Sequence, residues 1–139
     1  MTPQDMAALH ARCFTAPPPW SAQSFASLLS DTHILLCTLG TADAFLMGRV
    51  VAGEGEVLTL ATDPNMRRQG LARRLLAEFE SRACARGAQS LFLEVAEDNL
   101  AALALYQSCG FTRAGRRPGY YVREDGTKTA AMILCKSVA

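Results

Sequence analysis

The sequence predicts an α/β (α+β) fold in which helices flank one mixed β-sheet. Short apolar runs of strand length lie on both sides of a long amphipathic helix, and turns rich in Gly, Pro and Asp separate them. Helical and strand patterns then alternate to the end of the chain. Because 139 residues suffice for one core, we expect residues 1–139 to form a single domain. The expected order is α-α-β-β-β-α-β-α-β-β.

The first half of the chain is predicted to hold two helices and three strands. A helix is expected from Thr2 or Pro3 to about residue 14, and a second one, capped by Ser21, to about residue 30. The proline-rich residues 16–20 between them are incompatible with a helix and are expected to form a loop. The strands are expected over residues 33–39, 44–52 and 57–62, the first two as a hairpin.

The second half is predicted to alternate between helix and strand. Its longest helix should present one apolar face, with Leu71, Leu75, Leu76, Phe79 and Ala83 at helical spacing. In chain order the expected elements are a helix over 68–86 ended by Gly87, a strand over 90–96, a helix capped by Asp98 or Asn99 and ended by Gly110, and strands over 111–114 and 128–136.

Residues 67–73 join the third strand to the long helix and have the composition of a phosphate-binding loop. A helix start leaves backbone N–H groups unpartnered and carries a partial positive charge. Gly70 lacks the Cβ that would keep a phosphate away from this backbone, and Ala72 is small. Positive charge is added by Arg67, Arg68 and Arg73. Taken alone, the loop is explained equally well as an ordinary helix start with solvated arginines, and it matches no nucleotide-binding fingerprint.

Charge and cysteine usage exclude several classes of protein. Lys and Arg number 14 against 13 Asp and Glu, so no global field favours nucleic acid or membrane surfaces. No apolar run reaches 18 residues, and the N-terminus lacks the layout of a signal peptide. Five scattered cysteines without a Cys-x-x-Cys pair argue against a disulfide framework and a zinc site. We therefore expect a cytoplasmic protein without a metal and without direct contacts to nucleic acid or membrane.

Four further residues receive structural interpretations. Cys84 and Cys109 lie within apolar helical patterns, and we expect both to pack in the core. His10 and His33 are distant in sequence from each other and from any acidic cluster, and they are interpreted as structural or surface residues.

A combination of three motifs resembles a known family. The loop at residues 67–72 is followed by Leu91-Phe92-Leu93-Glu94-Val95 and then by Asn99-x-x-Ala102-x-x-Leu105-Tyr106-x-x-x-Gly110-Phe111. Together they resemble the GNAT superfamily of acetyl-coenzyme A dependent N-acetyltransferases over about residues 45–135. The resemblance implies that the loop holds the cofactor pyrophosphate, that the preceding strand bonds the pantetheine arm, and that Asn99 contacts the cofactor. The implied acetyl-CoA residues are Leu60, Ala61, Thr62, Arg67, Arg68, Gln69, Gly70, Leu71, Ala72, Arg73 and Asn99.

Within this superfamily the chain most resembles the ribosomal-protein alanine N-acetyltransferases, the RimI type. Shared stretches include Ala61-Thr62-Asp63-Pro64 and Pro19-Trp20-Ser21. The resemblance implies an acceptor that is a protein or peptide N-terminus, held between Trp20 and the pair Tyr120 and Tyr121. Two departures are visible: Ala72 replaces a commoner glycine, and Pro118-Gly119 precede the tyrosine pair, which puts substrate choice in doubt.

The resemblance also implies Glu94 as general base and Tyr106 as general acid. Elementary chemistry is compatible with a base of modest strength, because an α-amino group with a pKa of about 7.7–8.0 is about a tenth to a fifth neutral at pH 7. A lysine is neutral only to a few parts in ten thousand. Direct attack needs no cysteine nucleophile. A solvent-facing role for Glu94 and a core role for Tyr106 remain open at this point.

Three functions compete. The leading hypothesis is transfer of acetyl from acetyl-CoA to the N-terminal α-amino group of a ribosomal protein that begins with alanine. The alternatives are a GNAT enzyme for a small-molecule amine and a catalytically idle CoA-binding regulatory module. The presence of both Glu94 and Tyr106 speaks against the idle module.

Overall fold

A computed structural model describes residues 1–14, 19–123 and 125–139. Its elements follow the predicted order, with one short 3₁₀ helix added over Pro64–Met66. They are α1 (Pro3–Cys13), α2 (Ala22–Leu29), β1 (Ile34–Leu39), β2 (Ala44–Val51), β3 (Glu54–Thr62), α3 (Leu71–Ala85), β4 (Ser90–Ala96), α4 (Leu100–Ser108), β5 (Thr112–Val122) and β6 (Lys128–Ser137). The loop predicted over residues 16–20 lies largely outside the described residues.

The six strands form one mixed sheet, as predicted, in the spatial order β1-β2-β3-β4-β6-β5. β3 and β4 are parallel, and the remaining neighbours are antiparallel. Because α3 is the crossover between the two parallel strands, both strands end at the same edge of the sheet, next to the starts of α3 and α4. That edge is where a site built from helix starts and strand ends can form.

Two apolar clusters cover the two faces of the sheet. The larger cluster joins α3 and α4 to alternate residues of the strands, and the whole predicted apolar face of α3 is buried in it. The smaller cluster joins α1 and α2 to the opposite face. Phe79 of α3 lies directly on the sheet, where a Cβ added at Gly48 would overlap its ring. The glycine therefore allows close approach of helix and sheet.

Three differences from the predicted elements have physical causes. α3 begins at Leu71 because Arg68 and Gly70 have left-handed backbone, with φ of 66° and 75°. β5 extends to Val122, because an edge strand accommodates Pro118 and two register irregularities. Cys84 is exposed, so its predicted core position is wrong: it lies on α3 beside the buried stripe. Cys109 is half-buried and packs against the larger cluster.

The described part of the chain includes no helix long and apolar enough to cross a membrane. In the same residues no group of three or more His, Cys, Asp or Glu side chains is arranged to hold a metal ion.

Candidate active site

The central feature of the site is a separation between the two parallel strands. The pairing of β3 with β4 covers Glu54–Val57 and Ser90–Leu93 and extends no further along the described residues of either strand. At the same place Leu58 is an extra residue opposite β2, since Met47 pairs with Thr59 and Gly48 with Val57. Such a bulge bends a strand and increases its twist. The bulge therefore turns the end of β3 away from β4 and opens a gap between residues 58–62 and 94–96.

This gap is lined by the backbone that the sequence assigned to the pantetheine arm. Leu60, Ala61 and Thr62 pair with β2 on one side. Their other side faces the gap, and an unpaired strand edge offers free N–H and C=O groups to an extended ligand. The Thr62 Oγ1 atom is buried without a hydrogen-bond partner within the described part of the chain. A buried polar atom in this condition fits a site that a polar ligand completes.

The start of α3 lies next to this gap and is left open. α1, α2 and α4 begin with side-chain caps from Thr2, Ser21 and Asn99, whereas no side chain caps α3 at Gly70 in the described structure. A Cβ built on Gly70 would meet nothing within 4 Å, so open space adjoins the uncapped N–H groups. Left-handed residues in such a loop are typical of anion-binding backbone concavities. The geometry fits a phosphate group held by backbone.

The arginines of the loop differ in their surroundings. Arg68 is exposed beside the helix start. Arg67 lies close to Cys13, where burial raises the pKa of the thiol and Arg67 opposes that shift. Arg73 donates to Ser108 Oγ at 2.8 Å and to Cys109 Sγ at 3.6 Å, at the end of α4. Its guanidinium thus connects two helices, which the sequence did not indicate.

The remaining predicted cofactor residues lie between β3 and α3 and at the start of α4. Gln69 is exposed, and its Nε2 lies 4.0 Å from Met66 Sδ. Leu71 is buried as the first residue of α3, and Ala72 after it is half-buried. Asn99 caps α4, as predicted, because its Oδ1 accepts from the Ala102 N–H at 3.2 Å. One of its side-chain atoms is therefore already committed to the helix.

Glu94 lies on the face of the sheet that α1 and α2 cover, because its neighbours Leu93 and Val95 belong to the cluster on the opposite face. Its side chain is 20% exposed. Arg117 of β5 reaches across β6 and places Nη2 3.1 Å from Glu94 Oε1. The residue opposite Arg117 on β6 is Ala131, whose small side chain leaves room for this crossing. Glu94 is thus neither free in solvent nor buried alone.

Tyr106 approaches from the other face of the sheet. It is buried in the larger cluster, with its ring edge-on to Phe111 at a centroid distance of 6.0 Å. Burial, followed by the nearby Cys109 and Tyr121, raises the pKa of its phenol to about 12. The side chain is therefore a protonated hydrogen-bond donor throughout the physiological pH range.

Tyr121 connects the two catalytic candidates. Burial, followed by the charge of Glu94 and then by Tyr120, raises its pKa to about 12, and Tyr121 in turn contributes to the raised pKa of Tyr106. Tyr121 therefore lies near both of them. Tyr120 is 51% exposed, with its ring 5.0 Å from that of Tyr121. The structure thus brings Glu94, Tyr106 and Tyr121 into one neighbourhood.

A bulge in β5 positions the tyrosine pair. Arg117 pairs with Ala131 and Tyr121 with Thr129, so β5 holds two more residues than β6 between these pairs. The extra length includes Pro118 and Gly119, the segment that departs from the family pattern, and Gly119 has a left-handed φ of 62°. The bulge folds Tyr120 back until the Arg117 Cζ lies 5.4 Å from its ring centroid.

Trp20 packs in the smaller cluster with α1 and α2, on the same face of the sheet as Glu94. It packs against His10 and Phe25, with ring centroids at 5.2 and 5.4 Å, and it lines a groove of about 500 Å³ along α2. His10 is buried, its Nδ1 accepts from the Trp20 N–H, and its Nε2 bonds Thr59 Oγ1, both at 2.9 Å. The predicted structural role of His10 is confirmed, and His33 is exposed.

Sequence reasoning missed two functional features. From the sequence, the basic residues Arg113, Arg116, Arg117 and Arg123 are interpreted either as a solvated surface or as a contact for an acidic substrate or the cofactor phosphates, whereas the structure pairs Arg117 with Glu94. No local pattern indicates the contact between Arg117 and Glu94, because it depends on the pairing of β5 with β6. Sequence reasoning also did not identify the Leu58 bulge, since residues 57–62 show regular strand composition.

The family is shown by comparison. A model of the acetyltransferase (GNAT) family matches residues 4–111, and the chain belongs to this family. More specifically, it is 38% identical over 117 residues to the [Ribosomal protein bS18]-alanine N-acetyltransferase of Escherichia coli K12, covering 83% of this chain and 79% of that protein. It is also 38% identical over 125 residues to the N-alpha-acetyltransferase RimI of Mycobacterium tuberculosis, covering 85% and 77%. The sequence-based resemblance is thereby confirmed.

Solved structures agree with the fold. The crystal structure of the ribosomal-protein-S18-alanine N-acetyltransferase from Escherichia coli matches with a TM-score of 0.87 and 34% identity, over 99% of this chain and 88% of that one. Arabidopsis thaliana NAA60 in complex with acetyl-CoA matches with a TM-score of 0.83 over 99% and 96% of the chains. At 17% identity, this second likeness concerns the fold alone.

Proposed function

We propose that this chain transfers the acetyl group of acetyl-CoA to the N-terminal α-amino group of a ribosomal protein that begins with alanine. The observation that carries the proposal is the placement of Glu94 and Tyr106 on opposite faces of the sheet, beside the gap between β3 and β4. The names and activities of the RimI-type relatives support the same acceptor class. Because the proposed acceptor is a ribosomal protein, the reaction is proposed to take place in the cytoplasm. The activity is assigned to residues 1–139 as one domain.

Acetyl-CoA supplies an acetyl group activated as a thioester. We assign its diphosphate to the backbone at Gly70, Leu71 and Ala72, where the start of α3 is uncapped and adjoined by open space. Arg68 and Gln69 border this position. The pantetheine amides are assigned to the backbone of β3 at Leu60, Ala61 and Thr62, on the side that β4 leaves unpaired, and the Thr62 hydroxyl gains a partner there.

In this proposal Glu94 accepts the proton of the attacking amine. Glu94 lies directly after the part of β4 that pairs with β3. Its side chain is 20% exposed, which leaves an approach for an acceptor or for one intervening water. General base catalysis by a positioned carboxylate contributes about 10²–10⁴-fold. That is sufficient for an amine of which a tenth to a fifth is already neutral.

Tyr106 is assigned to the leaving thiolate as a hydrogen-bond donor. Its pKa, raised to about 12 by burial, lies well above the pKa of about 8.5 of an ordinary alkyl thiol. The phenol therefore carries its proton when the acetyl group departs, and it can stabilise the negative charge that develops on sulfur.

The acceptor is assigned to the side of Glu94 that the β5–β6 hairpin borders, with Tyr120 and Tyr121 as its wall. The partial exposure of Tyr120 suits contact with a peptide. Trp20, which packs in the α1–α2 cluster on the same face of the sheet, is assigned to the acceptor as well. A small amine would use little of the tyrosine surface.

The test compares three acceptors with the purified protein. A peptide with a free N-terminal alanine should exceed both spermidine and an N-terminally blocked, lysine-containing version of itself in kcat/KM. Intact-mass measurement of ribosomal proteins treated with the enzyme should identify one species gaining a single acetyl group. Equal or better use of spermidine would reject the N-terminal acceptor and favour the small-amine enzyme. Acetyl-CoA binding without acetylation of any of these acceptors would favour the idle module.

A further inference from the structure

We infer that Arg117 selects α-amino groups by donating a hydrogen bond to the carbonyl group next to the reacting amine. The inference rests on the proposed function, in which Glu94 receives that amine. It adds a specificity-determining residue that contacts the acceptor itself. Three observations support it: the contact of an exposed guanidinium with Glu94, the fixed orientation of that guanidinium, and the separate ion pairs of the neighbouring Arg116 and Arg123.

The first observation is the position of the guanidinium. Arg117 Nη2 lies 3.1 Å from Glu94 Oε1, so a molecule that brings an amine to Glu94 comes within contact distance of Arg117. The Arg117 side chain is 54% exposed, so it is accessible from the acceptor side. A guanidinium carries five N–H donors in a planar fork, and one contact with Glu94 leaves others available.

The second observation is that the side chain is held in place. The Arg117 Cζ lies 5.4 Å from the centroid of the Tyr120 ring, within the range of a cation–π contact. The bulge at Pro118 and Gly119 produces this contact by folding Tyr120 back over the strand. Arg117 is thereby oriented between an aromatic ring and a carboxylate before any acceptor arrives.

The third observation separates Arg117 from its neighbours. Arg116 bonds Glu97 with Nε 2.6 Å from Oε2, and Arg123 forms an ion pair with Asp98. These two pairs already tie the β5–β6 hairpin to the segment after β4. Arg117 differs from Arg116 and Arg123 because its acidic partner, Glu94, is the proposed base. Since the other two ion pairs hold the hairpin, the guanidinium of Arg117 is available to contact the acceptor.

The chemistry of the acceptor explains the selection. In a peptide N-terminus the first carbonyl oxygen lies about 3 Å from the amine nitrogen, by covalent geometry alone. An amine at Glu94 therefore places this oxygen beside the guanidinium. A lysine ε-amine or a polyamine has no carbonyl next to its amine, so it cannot accept this hydrogen bond from Arg117. The hydrogen bond therefore favours the α-amine of a peptide.

The experiment is a cycle of two enzymes and two acceptors. One acceptor is a peptide beginning with alanine, and the other replaces its first peptide bond by an (E)-alkene, which removes the carbonyl. We expect this replacement to lower kcat/KM about 10- to 150-fold more in the wild type than in Arg117→Ala, the value of one charge-assisted hydrogen bond. The higher basicity of the amine next to the alkene and the loss of the peptide N–H affect both enzymes alike and cancel in this ratio. Arg117→Gln, which keeps an amide donor, should recover part of the discrimination.

Controls keep the outcome decisive. Arg116→Ala removes a neighbouring guanidinium with a similar ion pair and should discriminate like the wild type. If Arg117→Ala turns over too slowly, the same ratio is measured as the affinities of both acceptors for the protein–CoA complex. Equal penalties in the wild type and Arg117→Ala would overturn the role of Arg117 and leave the proposed function intact. Absence of alanine-peptide acetylation by the wild type would overturn both.

Discussion

The strands β3 and β4 each have two halves with opposite properties. In the closed half, Glu54–Val57 pair with Ser90–Leu93, and Phe79 and Leu91 pack tightly against Gly48 and Gly55. In the open half, residues 58–62 and 94–96 are separated, and a buried hydroxyl is left without a partner in the described structure. The same pair of strands thus provides the rigid centre of the sheet and, a few residues later, the unsatisfied groups of the site.

The open half of β3 is held from outside the sheet centre. β2 pairs with it from Thr59 to Thr62, and α1 contributes two side-chain contacts. These are His10 to Thr59 Oγ1 at 2.9 Å and Cys13 Sγ to the Thr62 carbonyl at 3.2 Å. α1 thus replaces part of the support that β4 gives elsewhere. Changes in the closed half should therefore lower the free energy of unfolding. Changes in the open half should lower activity or alter the pH dependence of stability.

The largest effect is expected at Glu94 in the open half. Glu94→Gln keeps the shape of the side chain but cannot accept a proton, so kcat with the alanine peptide should fall about 10²–10⁴-fold. Acetyl-CoA affinity, measured by titration calorimetry, should stay within a few-fold of the wild type. Glu97→Gln is the matched control, since Glu97 pairs with Arg116 outside the gap. Wild-type turnover in Glu94→Gln would show that this carboxylate is structural.

The support by His10 predicts a pH dependence of stability. Burial lowers the pKa of His10 from 6.5 to about 4, so between these values the unfolded chain binds a proton that the folded chain does not. Stability should therefore fall as the pH drops from 6.5 towards 4, by about 3 kcal/mol in total. Urea unfolding at pH 7.5 and 4.5 measures the fall, and His10→Asn should show a smaller one. Carboxylates titrate in both proteins and cancel, so an equal fall in both would exclude His10 as the titrating group.

In the closed half, Gly48→Ala should reduce stability without changing the site. The added Cβ would overlap the Phe79 ring and lie 2.8 Å from the Glu56 carbonyl oxygen, which is backbone and cannot yield easily. Overpacking of this kind costs about 1–3 kcal/mol. Thermal unfolding should show a lower Tm, while the acetyl-CoA affinity of the folded fraction remains that of the wild type. A loss of affinity equal to that of a loop variant would contradict the division into halves.

The smallest effect distinguishes the two ends of α3. Gly70 and Gly87 both have left-handed φ, 75° and 89°, and a Cβ on either meets nothing within 4 Å. Alanine should strain both positions by about 1 kcal/mol. Only Gly70→Ala should weaken acetyl-CoA binding, by about tenfold, because its Cβ enters the space assigned to the diphosphate. The readout is the thermal shift produced by acetyl-CoA. Equal shifts in the two variants would remove Gly70 from the cofactor site.

Local patterns were sufficient for most of the fold. The apolar stripe of α3, the caps Ser21 and Asn99 and the strand at Ser90–Ala96 are all properties of short segments, and the structure agrees with them. β5 was predicted too short because Gly115, Pro118 and Gly119 resemble a loop, and only its pairing with β6 makes them a strand. The phosphate-binding role of the loop at Gly70 was also predicted from local chemistry, and it stays a prediction.

The remaining parts of the site depend on contacts between distant segments. Arg117 meets Glu94 only because β6 lies between their strands and carries a small residue, Ala131, at the crossing. The Leu58 bulge is set by register against β2 and leaves no mark in composition. The sequence could name Glu94 and Tyr106 through family motifs, but their placement on opposite faces of a divided sheet required the fold.

The single extra residue at Leu58 has a consequence for how this fold trades stability against function. Deleting one residue there would restore regular alternation and allow the later residues of β3 to continue beside β4. The shortened chain would gain backbone hydrogen bonds, each contributing about 0.5–1.5 kcal/mol, and lose the opening. The extra residue therefore lowers stability and opens the site. Its deletion is expected to give a more stable but inactive protein.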